Sequence, residues 1–89
     1  MRLELATAPV PARLASALGR LVRSVSAAAS EFSVRLTQAE LAQMIGASRN
    51  AVGAAIKAWR ERGWLDTEAG GGLLIKDIAS IQAHAHGQT

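Results

Sequence analysis

With 89 residues, 49% of them hydrophobic, the chain is long enough for one small domain, too short for two, and too apolar for a disordered tail. The absence of cysteine excludes disulfides and thiolate metal sites and fits a reducing compartment. No apolar run approaches the roughly 20 residues that span a bilayer. Ten Lys/Arg against seven Asp/Glu give a net charge of +3, enough to permit phosphate contact without requiring it.

Residues 1–10 read as a lead-in segment, with Leu3 and Leu5 alternating before Pro9, and without the long apolar core of a signal peptide. A cytoplasmic location is the expectation. Pro11 suits the first turn of a helix, where its missing N–H costs nothing. Leu14, Leu18, Leu21, Val22 and Val25 then recur at helical spacing, which predicts a first helix over 11–26 with Arg13, Arg20 and Arg23 largely off the apolar stripe. Residues 26–33 are small and polar and read as a loop, and Val34-Arg35-Leu36 as a short strand.

Thr37 stands three residues before Glu40, the spacing of a capping box that satisfies two free N–H groups at a helix start. Leu41, Met44 and Ile45 form the expected buried face of the second helix, which Gly46 ends. Ser48 caps a third helix over 49–62, whose inner face carries Val52, Ala55, Ile56 and Trp59 and which Gly63 stops. Residues 64–67 and 73–75 read as two short strands joined by the glycine-rich turn 68–72, a β-hairpin. Asp77 is placed to cap a last short helix carrying Ile78 and Ile81, and residues 84–89 read as a flexible tail.

The most specific signal lies in residues 38–57. Ala42, Gly46 and Val52 are spaced four and six apart, and in a helix-turn-helix each has a physical reason. Ala42 must be small because the next helix crosses close to it. Gly46 sits in the turn, where positive φ is wanted. Val52 plugs the angle between the helices. With a capping box before one helix, a Ser cap before the next and a glycine-tipped hairpin downstream, the pattern predicts a mainly α winged helix-turn-helix, a three-helix core plus wing, over residues 11–83. An ordinary helical hairpin is the competing reading.

The chain resembles the C-terminal DNA-binding domain of the CRP/FNR family of bacterial transcription regulators. The likeness runs over roughly residues 11–82. It is carried by Arg13-Leu14-Ala15, Leu36-Thr37-Gln38-Ala39-Glu40-Leu41-Ala42, Ile45-Gly46-Ala47-Ser48-Arg49, Val52, Gly63-Trp64-Leu65 and Ile75-Lys76-Asp77. The resemblance implies that the third helix enters the major groove of double-stranded DNA. A sensory β-roll and a long dimerisation helix usually precede such a domain, and these residues encode neither. Where the family often has Glu and Arg, this chain has Asn50 and Ala54, so a different operator is expected.

On that reading Arg49 is the chief base reader and Asn50 the second, since Arg pairs with guanine and Asn with adenine. Ala54 offers only apolar contact, for instance to a thymine methyl, and Gly53 and Ala54 allow close approach to the groove floor. Arg49, Gly53, Lys57 and Arg60 are expected along one ridge, with Lys57 on a phosphate. Ser48 and Thr37, at helix N-termini, present donors to phosphate oxygens, and Gln38 touches the backbone. Each also has a plain surface role as its alternative.

The hairpin tip, with Glu68 and three glycines but no base, reads as a structural cover of the core; Lys76 beyond it is placed to reach the backbone. Trp59 is in register with Val52 and Ile56, and both it and Trp64 are expected to pack rather than stack on bases. His84 and His86 lack a third ligand for a metal. Gly70-Gly71-Gly72 lacks the Lys-Ser/Thr of a phosphate loop, and no nucleophile–base pair is evident, so neither enzyme activity nor a cofactor is expected. The function expected is a DNA-binding transcription regulator domain; the alternative is a winged-helix protein–protein module. Reading a palindrome needs a homodimer or a fused dimerisation module, and the first helix with the Leu3/Leu5 segment is the candidate contact surface.

Overall fold

The computed structural model describes residues 8–23 and 31–86; Leu3, Leu5, Val25 and most of the loop read between the first helix and the first strand fall outside them. The elements run α1 (Val10–Arg23), β1 (Phe32–Val34), α2 (Gln38–Ile45), α3 (Arg49–Glu61), β2 (Leu65–Thr67), β3 (Leu73–Ile75) and α4 (Ile78–His86). Among the described residues no helix is long and apolar enough to cross a membrane.

Helix α1 is the centre of the packing and touches α2, α3, α4 and β1. Its Leu14, Ala15, Ala17, Leu18 and Val22 are buried in the core. The stripe that the sequence offered as a surface for self-association is therefore turned inward. Burial of a Leu side chain contributes about 1.5–3 kcal/mol, so exposing Leu14 and Leu18 to a second chain would cost the fold more than a thin core can lose.

The expected hairpin forms between β2 and β3, within a larger sheet. That sheet has three antiparallel strands in the order β1-β3-β2, with β3 in the middle. Phe32 and Leu65 both stand opposite Ile75, and Val34 stands opposite Leu73. All five side chains are buried, while Ser33 and Asp66, which flank Leu74 in the register, are exposed. The first strand is thus 32–34 rather than 34–36. Alternation decides this: only that register turns both Phe32 and Val34 to the core and pairs them with β3. Arg35 and Leu36 fall in the connector to α2.

Two further expectations are corrected. Met44 is 48% exposed, so the buried face of α2 is Leu41 and Ala42, with Ile45 half-buried. Helix α4 continues through His86 instead of fraying at residue 84, with Ile81 and Ala85 in the core. Its start is capped locally, and its far half is held by contacts with α1 and α3. The Asp77 carboxylate accepts from the Ser80 N–H at 3.0 Å and from the Ser80 hydroxyl at 2.7 Å. Farther along, Gln82 Nε2 donates to the Ala15 carbonyl of α1 at 3.3 Å. Near its end, Trp59 Nε1 donates to His84 Nδ1 at 3.5 Å.

Candidate nucleic-acid interface

Helices α2 and α3 and the tight turn between them form the site's frame. Thr37 caps α2 with both halves of the capping box: its hydroxyl oxygen accepts from the Glu40 N–H at 3.1 Å, and Glu40 Oε1 accepts from the Thr37 N–H at 2.8 Å. Gly46 ends the helix at φ 70°, ψ 38°, the left-handed region where a Cβ is penalised. The next residue closes the turn, the Ala47 N–H donating to the Ala42 carbonyl at 2.9 Å. Ser48 then caps α3 by accepting from the Ala51 N–H at 3.1 Å. Ala42 is 4% exposed and Val52 fully buried, so the small residue and the plug occupy the crossing as the spacing predicted.

Helix α3 divides cleanly. Val52, Ala55, Ile56 and Trp59 are buried, while Arg49, Asn50, Ala54, Lys57, Ala58, Arg60 and Glu61 are exposed. At 100° per residue, Asn50, Ala54, Lys57 and, in the last turn, the acidic Glu61 lie at the middle of the exposed face, and Arg49, Gly53 and Arg60 lie along its flank. The centre of the ridge is therefore one column over from the row 49-53-57-60 read from sequence. Gly53 is half-buried, and the side chain of Gln38 from α2 is its neighbour: a Cβ built at Gly53 would come 3.1 Å from Gln38 Oε1. The lack of a side chain at 53 first of all makes room for Gln38.

Among the described residues, Arg49, Lys57 and Arg60 form no salt bridge, whereas Lys76 Nζ lies 4.0 Å from the Asp66 carboxylate. Lys76, offered by the sequence as a backbone contact, is thus drawn to an acidic neighbour on the sheet. Ser48 and Thr37 use their hydroxyl oxygens as acceptors, which leaves each O–H proton available.

Arg35 is the cation that the sequence reading did not single out. It is exposed, two residues before the cap of α2, and lines a cleft with Ser33, Thr37, Glu68 and Gly70 at the side of the wing. Its signal was present in its position just ahead of the capping box. The wing tip itself, Ala69, Gly70 and Gly71, is exposed and bears no cation. Glu68 there is engaged by the Ser33 hydroxyl at 2.7 Å.

Neither tryptophan is free to stack on a base. Trp59 is 1% exposed. Trp64 is half-buried, with the Arg62 guanidinium 5.1 Å over its ring and the His84 imidazole edge-on at 5.5 Å. Among the described residues no cluster of three His, Cys, Asp or Glu side chains is placed to hold a metal ion.

A mainly helical domain with a capped helix-turn-helix, a second motif helix exposed on one face, and a small antiparallel sheet behind it is a winged helix-turn-helix. The model of the Crp-like helix-turn-helix domain matches residues 12–83, and the chain belongs to that family of DNA-binding transcription regulator domains. No curated protein matches the chain.

Proposed function

We propose that this domain binds double-stranded DNA sequence-specifically, laying α3 in the major groove as the output module of a transcription regulator. One observation carries the reading. The exposed face of α3 presents Arg49, Asn50, Ala54 and Lys57 opposite a fully apolar buried face, with no carboxylate paired to its cations among the described residues. A surface cation left without an internal partner next to two helix N-termini suits an anionic polymer.

In this reading Arg49 donates to guanine, Asn50 pairs with adenine, and Ala54 meets a thymine methyl. Lys57 binds a phosphate, as do the hydroxyls of Ser48 and Thr37. Gly53 keeps the flank of α3 low, and Arg35 holds the backbone beside the wing. A palindromic site needs a second copy, brought by self-association or by a fused module.

The test is fluorescence anisotropy on random duplex DNA at low and physiological salt, with an Arg49→Ala/Lys57→Ala variant alongside. Salt-sensitive binding that the variant loses is the expected result. A folded chain that binds no duplex at low salt would instead support a protein–protein module. The observation on that side is the wing tip, whose exposed residues offer phosphate no cation.

A further inference from the structure

Resting on the DNA-binding reading, we infer that Gln38 is a base-reading residue contributed by α2, positioned by the missing side chain of Gly53. Gln38 is the first residue of α2, yet its side chain does not turn away to solvent. It is half-buried, with Oε1 against Gly53, and the space a Cβ would fill there meets no other side chain within 4 Å. The Gln38 amide makes no hydrogen bond among the described residues, so its donor and acceptor are not consumed by the fold.

Its location gives that free amide a use. Gly53 follows Arg49 by one turn of α3 and precedes Lys57 by another, half-buried on the flank of the helix's exposed face. A side chain resting on Gly53 therefore lies between two residues of the groove-facing surface. A primary amide is the group that pairs bidentately with the N6/N7 edge of adenine, as Asn50 does on the same surface. Being uncharged, Gln38 releases no counterion from DNA, so its contribution is to selectivity and not to salt-dependent affinity. An alanine at 53 would bring its Cβ to 3.1 Å from Gln38 Oε1, closer than ordinary contact, so the amide would have to shift off Gly53 by a few tenths of an ångström and out of register with a base edge.

In vitro selection with the 89-residue chain supplies a preferred duplex. Competition binding is then measured against its single-base-pair variants and against random duplex, for the wild type, Gln38→Ala, Gly53→Ala and the double variant. Thermal melts check the fold of each. The expected result is that Gln38→Ala loses about 5- to 100-fold discrimination at one base pair, a loss larger than any change in its random-duplex affinity, with the salt slope unchanged. Gly53→Ala loses discrimination at the same base pair without a lower melting temperature, and the double variant is no worse than Gln38→Ala. A uniform fall across all duplexes, or unchanged discrimination, overturns the role of Gln38 while leaving the domain a DNA binder. A wild type that binds duplex with no preference also overturns it. A wild type that binds no duplex overturns the DNA-binding reading and this one together.

Discussion

The Arg13 guanidinium of α1 donates to the Ile45 carbonyl at 2.9 Å, reaching the last residue of α2 across 32 positions of sequence. Its Nε also donates to the Ala8 carbonyl at 3.1 Å. One half-buried side chain thus satisfies an otherwise free carbonyl at a helix end and fixes where α2 stops against α1. Arg13→Met keeps the aliphatic stem and removes both bonds. Chemical denaturation should show a loss of about 1–2 kcal/mol, at the low end for bonds to a charged group because the site is partly open to water. An unchanged midpoint would mean that solvent replaces both bonds at no cost.

Gly46 is the tightest backbone requirement of the motif. A Cβ there would touch nothing within 4 Å, so any penalty comes from φ of 70° alone. Gly46→Ala should destabilise by about 1 kcal/mol, the left-handed penalty less the entropy that alanine removes from the unfolded chain. Thermal melts would read this, and a stabilised variant would show that the turn relaxes out of the left-handed region.

The two sides of α2 should respond differently. Leu41 is fully buried and Met44 is 48% exposed. Leu41→Ala is expected to cost about 2–5 kcal/mol, and Met44→Ala to stay within about 0.5 kcal/mol. Equal losses in urea denaturation would contradict the orientation of α2.

Hydrogen bonds from the Ser80 hydroxyl and then from the Ser80 N–H hold the Asp77 carboxyl below its ordinary range. A folded-state pKa below the unfolded one adds stability that is fully present above the unfolded pKa and lost as pH falls through the folded one. The stability gap between the wild type and Asp77→Asn should therefore be widest near neutral pH and shrink as pH drops below about 4. A gap that does not change with pH would remove the cap's charge from the account.

The wing tip allows a gain-of-function test of how the domain meets DNA. Ala69 is exposed in the turn and lines the cleft shared with Arg35 and Thr37. If the wing lies beside the duplex backbone, Ala69→Lys should tighten binding to random DNA and steepen the log-log salt slope by about 1. No change in slope would place the wing away from the phosphates.

The elements of the motif were legible because their signals are local. Thr37 and Glu40 are three residues apart in the chain, and the Gly46 turn and Ser48 cap each act within one helical turn. The buried face of α3 was legible for the same reason, since a 3.6-residue period is written in the sequence. Met44 misled because it fits that period on a helix of only eight residues, too short for periodicity to say which edge of the stripe is covered.

What the sequence by itself determined is the helix-turn-helix, its caps, and the set of polar and cationic residues on α3. Tertiary structure alone decided the rest, because it depends on contacts between distant residues. It recruited Phe32–Val34 as a third strand through pairing with β3, some 40 positions away. It turned the apolar side of α1 into the core and carried α4 on to His84, where the buried Trp59 indole offers a donor. And it set Gln38 upon Gly53, a neighbour relation that no spacing rule within a single helix contains.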